Sequence, residues 1–341
     1  PQFAELMVKE GRADLVAFGR QSLADPAMPK KAQEERLEDM TPCIACLQGC
    51  VANMYAGNPV CCLTNPFLGH EAEPLEKAEE PKKVMVIGGG VAGLSAAFIA
   101  KERGHEVTLY EAGDVLGGNM RLAAYPPGKG DITNMIRSYI HRCQKDGVKI
   151  VMNCEVTPEL IKEEKPDSVI IATGSKTLIL PIEGIDNPAI IHGSDLLDGK
   201  RAAGKKVLVV GGGMVGCETA AFLGEQEHDV TVIEFRDTVG ADVIHEHRVY
   251  LMKDFEDYGI KEITGAKVCK FYEDGVEYET ADGVRHESRG YDSVILSMGF
   301  RNYNPLEEKI KDLVPETHVI GDAIRARRAL DATKEAYEVA S

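Results

Sequence analysis

The same order of apolar and polar positions occurs twice along this chain. From Lys82 the sequence reads KKVMVIGGGVAGLSAAFIAKERGHEVTLYEAG, and from Lys205 it reads KKVLVVGGGMVGCETAAFLGEQEHDVTVIEFR. Each copy predicts a buried apolar strand, a turn of three glycines, an alanine-rich helix and a second apolar strand that ends in glutamate. Because this is the order of a βαβ unit, the repeat predicts two doubly wound parallel sheets of α/β class.

The glycines of each copy have the spacing of a dinucleotide-binding turn. In the first copy, Gly88 allows a tight turn from strand to helix, Gly90 lets a pyrophosphate approach the backbone, and Gly93 lets helix and strand pack closely. The following helix N-terminus offers unpaired amide groups to phosphates. The second copy repeats this spacing with Gly211, Gly213 and Gly216. A glycine turn without a ligand is the plainer alternative.

A glutamate ends the second strand of each copy, where a carboxylate accepts hydrogen bonds from the ribose hydroxyls of a dinucleotide. These residues are Glu111 and Glu234. The charge of Glu234 would repel a 2′-phosphate and favours NADH over NADPH, although Arg236 would weaken this preference. Two dinucleotide sites in one chain indicate electron transfer between a flavin and a nicotinamide.

Charge and length exclude some classes of partner. The 341-residue chain has a net charge of −16, which disfavours nucleic acid and anionic membranes. The sequence contains no apolar run of about 18 residues and does not open on a signal peptide, so we expect a cytoplasmic protein.

Five of the nine cysteines lie between Cys43 and Cys62. In a reducing compartment, such a group indicates metal ligands or catalytic thiols more than disulfides. Cys43, Cys46, Cys50 and Cys62 follow the pattern C-x2-C-x3-C-x11-C, in which four thiolates can hold a [4Fe–4S] cluster. A zinc knuckle and a redox dithiol of Cys43 and Cys46 are the alternatives.

Three stretches resemble the flavin-side motifs of two-dinucleotide flavoprotein reductases of the disulfide-reductase type. They are LGGNMRLAAYPPGKGD (116–131), IIATGS (170–175) and VIGDA (319–323). Because they flank or follow the second copy, the resemblance implies FAD at the first glycine turn and NAD(H) at the second. The implied FAD residues are Gly88, Gly90, Ala92, Gly93, Glu111, Gly118, Asn119, Arg121, Thr173, Gly174, Asp322 and Arg327. The implied NAD(H) residues are Gly211, Gly213, Gly216, Glu234 and Glu218, the last of them near the nicotinamide. The plainer alternatives are a helix-surface glutamate for Glu218 and a solvated basic patch for Arg327.

PCIACLQGC and CLTNP, taken together with these motifs, make the resemblance specific to one family. They are similar to the family of 2,4-dienoyl-CoA reductase, trimethylamine dehydrogenase and bile-acid enoate reductase, which joins an old-yellow-enzyme-like FMN barrel, a [4Fe–4S] cluster and a flavoprotein half. The x3 spacing is that of the dienoyl-CoA reductase branch. CLTNP implies Cys62 as the fourth ligand and leaves Cys61 as an extra thiol.

The first residues resemble the last unit of that barrel. GRADLVAFGRQSLADP is similar to its eighth strand and following helix, which implies that Gly19 and Arg20 hold the FMN phosphate. A turn glycine and a surface arginine are the alternatives. The implied domains are the end of a TIM barrel over 1–35, a cluster segment over 36–75, an FAD-binding domain over 76–195 and 305–341, and an NAD(H)-binding domain over 196–304. We therefore expect a fragment that lacks most of the barrel.

The resemblance implies the electron-input half of an iron–sulfur flavoenzyme. NADH would reduce FAD, and electrons would pass through the cluster to FMN, which would reduce an activated C=C bond of a small unsaturated acid or thioester. No residue of this chain is required as an acid or base, and a homo-oligomer is compatible with this function. Two alternatives remain: an amine dehydrogenase with outward electron flow, whose second site holds only ADP, and a non-catalytic nucleotide-binding scaffold.

Overall fold

A computed structural model describes residues 1–73 and 75–341. Pro74, in the charged stretch between the cysteines and the first glycine turn, lies outside the described residues. The strands are β1 (Lys83–Ile87), β2 (Glu106–Tyr110), β3 (Lys149–Val151), β4 (Ser168–Ile171), β5 (Ser175–Thr177), β6 (Ile191–His192), β7 (Lys206–Val210), β8 (Asp229–Ile233), β9 (Lys261–Ile263), β10 (Lys267–Tyr272), β11 (Gly275–Glu279), β12 (Arg285–Ser288), β13 (Ser293–Leu296), β14 (Phe300–Asn302) and β15 (Glu316–Val319).

The α-helices alternate with these strands over most of the chain. They are α1 (Gln2–Lys9), α2 (Arg20–Ala24), α3 (Met28–Gln33), α4 (Val51–Tyr55), α5 (Val91–Glu102), α6 (Gly118–Leu122), α7 (Asp131–Lys145), α8 (Pro158–Glu164), α9 (Gly193–Leu197), α10 (Met214–Glu225), α11 (His245–Asp257), α12 (Glu307–Ile310) and α13 (Ala329–Ala340). Short 3₁₀ helices span Leu37–Asp39 and Gly321–Ala323. None of the helices in the described part of the chain is long and apolar enough to cross a membrane.

The chain forms two compact units. The first comprises 1–121, 131–174 and 302–341, and the second comprises 122–130 and 175–301. The sequence placed 122–130 and 175–195 with the FAD domain, whereas both stretches group with the second unit. The assignment of a cofactor to each domain stays a prediction.

A five-stranded sheet forms the centre of the first unit, in the order β15-β4-β1-β2-β3 with every pair parallel. β1 and β4 lie inside the sheet and are buried nearly throughout, because helices cover both faces of a parallel sheet. Helix α5 packs against both α7 and α13, and most of its residues are buried.

The second unit has a five-stranded sheet of the same kind. Its order is β6-β13-β7-β8-β9, again with every pair parallel, and β10, β11 and β12 form a separate antiparallel sheet. The strand–helix–strand segments β1-α5-β2 and β7-α10-β8 begin and end at positions that all differ by 123 residues. The two doubly wound units predicted from the repeat are confirmed.

The expected strand at ADLVAFG does not form. Residues 13–18 lie outside regular structure, and Leu15 is 89% exposed. A barrel strand needs a hydrogen-bonded neighbour on each side, and no described strand pairs with this segment. The helices on either side, α1 and α2, do form.

The packing of the second glycine turn can be tested by substitution. A Cβ on Gly216 would lie 1.8 Å from the carbonyl oxygen of Gly211, whereas a Cβ on Gly213 would lie no closer than 3.5 Å to any atom. We expect Gly216→Ala to lower the free energy of unfolding by about 3 kcal/mol, because backbone must move. Gly213→Ala should stay within about 1 kcal/mol of the parent protein. Urea midpoints followed by far-UV circular dichroism would test this, and equal midpoints would contradict it.

Candidate functional site

The first glycine turn connects β1 to α5. Gly88 has a φ of +109°, and a Cβ there would lie 2.3 Å from the carbonyl oxygen of Ala172. A Cβ on Gly93 would lie 1.9 Å from the carbonyl oxygen of Gly88. Gly90, by contrast, faces open space, since a Cβ there would meet no atom within 4 Å. The turn is therefore tightly packed except at the position where a pyrophosphate would approach.

The other stretches assigned to the flavin converge on this turn. Gly117 pairs with Gly90 and donates its amide to the carbonyl oxygen of Gly89 at 2.8 Å, which also brings Gly118 and Asn119 close. A Cβ on Gly321 would lie 3.0 Å from Cβ of Ala92, so the VIGDA stretch reaches the start of α5. The hydroxyl of Thr173 donates to the carbonyl oxygen of Tyr303, and Gly174 accepts the Tyr303 amide. All these contacts lie within the first unit.

Two charged residues of this group have protein partners. Asp322 accepts the backbone amide of Arg327 at 2.9 Å. The Arg327 guanidinium forms an ion pair with Glu335 at 2.5 Å, and Glu335 also accepts the amide of Gly321. Arg327 is thus fixed beside the VIGDA stretch. Arg121 lies at the end of the same unit, with its Cβ 3.6 Å from a Cβ built on Gly117.

The second glycine turn repeats this geometry between β7 and α10. Gly211 has a φ of +105°, and a Cβ there would lie 2.4 Å from the carbonyl oxygen of Ser297. The turn borders a cavity of about 230 Å³. Its lining includes the three glycines of the turn, Met298 and Gly299, and the charged residues Glu234, Arg236 and Asp242.

Each strand-end glutamate is held by backbone amides. Glu111 accepts the amide of Gly89 through Oε2 at 2.7 Å and the amide of Gly113 through Oε1 at 2.7 Å. Glu234 accepts the amide of Gly212 at 2.5 Å in the same way. These bonds fix each carboxylate beside its glycine turn and leave lone pairs for ribose hydroxyls.

Glu218 is not a helix-surface residue. It lies on α10, is only 7% exposed, and forms an ion pair with the ammonium group of Lys129. A buried carboxylate requires such a partner. Lys129 was not predicted as a site residue. Its one sequence signal is its position between Gly128 and Gly130 in the flavin-side stretch 116–131.

The cysteine stretch forms a loop in which the four predicted ligands lie near one another. Burial, and after it the proximity of the Cys62, Cys50 and Cys43 thiols, raises the pKa of the Cys46 thiol to about 11. Burial also raises the pKa of Cys62. The raised pKa values mean that the Cys46 and Cys62 thiols resist ionisation by themselves, and a cationic centre reverses that cost.

The backbone of this loop adopts an unfavourable conformation. Ala45 and Leu47 both have positive φ, +51° and +57°, which costs a non-glycine residue about 1–2 kcal/mol. The buried side-chain oxygen Oε1 of Gln48 has no hydrogen-bond partner. Strain and an unsatisfied polar atom in one loop fit a site that binds a group through the cysteines. No set of three or more histidine, cysteine or acidic residues in the described ranges is arranged to hold a single metal ion.

Side chains of the first unit fix this loop, and no sequence pattern points to these side chains. Gln21 donates to the carbonyl oxygen of Thr41 and accepts the amide of Cys43, each at 2.9 Å. The buried hydroxyl of Tyr139 on α7 donates to the carbonyl oxygen of Leu63. Asp39, whose pKa is lowered most by Lys145, accepts hydrogen bonds from Arg36, His141 and Lys145.

Cys61 differs from its neighbour Cys62. Its amide donates to the carbonyl oxygen of Gly49 at 2.8 Å, and its sulfur accepts from the Asn53 side chain at 3.4 Å. Gly19 and Arg20, assigned to FMN, lie at the start of α2, where Arg20 is exposed. Their assignment stays a prediction.

Known proteins resemble the chain over its whole length. It is 34% identical to cinnamate reductase of Clostridium sporogenes, covering 100% of this chain and 51% of that protein, and 36% identical to NADH oxidase of Thermoanaerobacter brockii, covering 100% and 53%. The structure of a 2-naphthoyl-CoA reductase matches with a TM-score of 0.95 and 34% identity, over 100% of this chain and 52% of that one.

The chain spans about half the length of these relatives. Relatives named for the oxidation or demethylation of amines match at lower identity, 28% or less. The matching family model and the reductase and oxidase relatives support FAD and NAD(H) as cofactors. Residues 82–317 match the sequence model of the pyridine nucleotide-disulphide oxidoreductases, and the chain belongs to this family.

Proposed function

We propose that this chain is the electron-input half of an iron–sulfur flavoenzyme that reduces an activated C=C bond of a small unsaturated acid or thioester. The observation that carries the proposal is the attachment of the cysteine loop to the unit with the first glycine turn. Tyr139 and Ser138, both on α7, donate to backbone carbonyls on the two sides of the loop, at Leu63 and Met40. Helix α7 packs in turn on α5, which begins at that glycine turn. The proposed cluster and flavin sites therefore share one rigid support.

The cofactors supply the electron chemistry when bound. A flavin accepts a hydride from NADH and releases electrons singly, whereas a [4Fe–4S] cluster and a second flavin, FMN, carry them onward. In this chain, Gly19 and Arg20 would be the contacts of FMN. Cys43, Cys46, Cys50 and Cys62 would hold the cluster.

Residues of the first unit would bind and orient FAD. The open face of Gly90 and the amides at the start of α5 would receive the pyrophosphate. Glu111 would accept the ribose hydroxyls of the adenosine. The remaining assigned residues are Gly88, Ala92, Gly93, Gly118, Asn119, Arg121, Thr173, Gly174, Asp322 and Arg327.

Residues of the second unit would bind NAD(H). Gly213 and the start of α10 would receive the pyrophosphate, Gly211 and Gly216 would shape the turn, and Glu234 would accept the ribose hydroxyls. Glu218, charged and held by Lys129, would lie toward the nicotinamide. The ion pair of Glu218 with Lys129 would hold the nicotinamide end of the site in one arrangement, and neither residue would transfer a proton.

Reduction is favoured over amine oxidation by two observations. The second glycine turn shares with the first its closely packed glycines and a fixed strand-end carboxylate, that of Glu234, which an unused site does not require. The relatives named as reductases are also more similar to this chain than those named for amine chemistry.

The first test concerns the cluster. Anaerobically purified protein should contain about four iron and four sulfide per chain. Cys50→Ser should lose both, whereas Cys61→Ser should keep them, because Cys61 is engaged by Gly49 and Asn53. Metal and acid-labile sulfide analysis measures this, and stoichiometric zinc without sulfide would contradict the assignment.

The second test concerns the choice of nicotinamide cofactor. At an effective dielectric of about 20 and a separation near 4 Å, the charge of Glu234 opposes a 2′-phosphate by about 4 kcal/mol before screening. We expect NADH to be preferred at least tenfold in kcat/KM with an artificial acceptor, since about 1.4 kcal/mol is enough for that. Glu234→Gln should reduce the preference by improving use of NADPH, whereas Glu246→Gln should not. Equal kcat/KM for both cofactors in the parent protein would refute the role of Glu234.

The third test separates the flavin from the cluster. Cys46→Ser should abolish cluster reduction but leave rapid bleaching of the flavin absorbance by NADH in stopped flow. Gly90→Val should abolish both, because its side chain would fill the open face of the turn. Absence of bleaching in folded, FAD-replete parent protein would favour amine oxidation with outward electron flow.

A further inference from the structure

The side chain of Thr64 contacts the sulfur of the fourth predicted cluster ligand. Thr64 Oγ1 lies 3.3 Å from Sγ of Cys62, two residues earlier in the chain. Thr64 is only 2% exposed, so bulk water does not compete for its hydroxyl. A hydroxyl buried in this way needs a hydrogen-bond partner, and the Cys62 sulfur is the partner that the structure shows. The contact therefore belongs to the buried part of the cysteine loop.

The backbone on both sides of Thr64 is anchored to helices of the first unit. The carbonyl oxygen of Leu63, a fully buried residue, accepts the hydroxyl of Tyr139 on α7 at 3.1 Å. The side-chain amide of Asn65 donates to the carbonyl oxygen of Leu23 on α2 at 2.9 Å. Because both neighbours of Thr64 are held in this way, its hydroxyl keeps a fixed position in the loop.

Binding of iron decides which atom donates in this hydrogen bond. A free Cys62 thiol and the Thr64 hydroxyl can each donate to the other. Cysteine binds iron as the thiolate, which has no proton to donate. When Cys62 is a cluster ligand, the Thr64 hydroxyl is therefore the donor and the Cys62 sulfur is the acceptor.

We propose that the Thr64 hydroxyl raises the reduction potential of the cluster by donating a hydrogen bond to the Cys62 thiolate. The inference rests on the proposed function, because it takes Cys62 as a cluster ligand. One-electron reduction adds negative charge that the cluster sulfurs share, so a donor at a sulfur stabilises the reduced state more than the oxidised state. Burial strengthens this hydrogen bond. Thr64 thus acts through Cys62 and makes the cluster a better acceptor of single electrons from the flavin.

The test compares Thr64→Val, which has a similar shape without the hydroxyl, with Thr64→Ser, which keeps the hydroxyl. Each anaerobically purified protein is titrated with dithionite and redox mediators, and the reduced cluster is measured by electron paramagnetic resonance. At the midpoint potential of the parent cluster, we expect Thr64→Val to lower the ratio of reduced to oxidised cluster about tenfold, a shift of about 59 mV for one electron. Thr64→Ser should stay close to the parent. The flavin midpoint, followed by absorbance, should not move in either variant.

Asn53→Ala is the matched control within the same loop. The side-chain amide of Asn53 donates at 3.4 Å to the sulfur of Cys61, which is not assigned to the cluster. Removal of this donor should leave the cluster midpoint unchanged. A shift in Asn53→Ala with none in Thr64→Val would indicate that Cys61 holds the cluster in place of Cys62, and would overturn the inference.

Two further outcomes would contradict the role of Thr64. One is an unchanged midpoint in a Thr64→Val protein that keeps its iron and sulfide. The other is loss of the cluster from both Thr64→Val and Thr64→Ala, because the hydroxyl would then be needed for assembly and not for the potential. A parent protein without iron and sulfide would instead overturn the proposed function, and the inference with it.

Discussion

Both nucleotide turns depend on one steric constraint, the contact between the helix glycine and the carbonyl group that ends the strand. At Gly93 and Gly216 the space for a side chain is already taken by backbone oxygen, at 1.9 and 1.8 Å. This contact lets the helix start directly above the strand, so that its first amides point into the turn. Packing, rather than ligand binding, therefore fixes the positions of the amides that a dinucleotide would use.

The sequence predicted those parts of the protein that depend on local pattern. The strands, helices and turns of the repeat follow from apolar periodicity and glycine spacing, which act over a few residues. The pairing of Lys129 with Glu218 escaped prediction because the two residues are 89 positions apart and no periodicity connects them. The predicted strand over ADLVAFG, residues 13–19, was wrong for a related reason, since a strand exists only with neighbours.

The cysteine loop could be predicted from the sequence only in part. Its residue types and spacing indicated a cluster, but the side chains that hold its backbone come from other elements. Gln21 acts from α2 and Tyr139 from α7, and neither has a sequence signature. The spacing of cysteines can indicate which group a loop binds, whereas the supports that keep Ala45 and Leu47 in strained conformations appear only after folding.

The discontinuity of the first unit has a consequence for how the protein is made. Gly174 and Tyr303 are joined by a hydrogen bond of 2.9 Å, although 128 residues lie between them, nearly all of which belong to the second unit. During synthesis, the second unit can finish folding while β4 still lacks its neighbour β15. Closing so long a loop costs entropy, and a folded insertion reduces the length of flexible chain to be closed. Until then, one side of β4 stays unpaired, and this edge is where we expect the nascent chain to be most prone to misassociation.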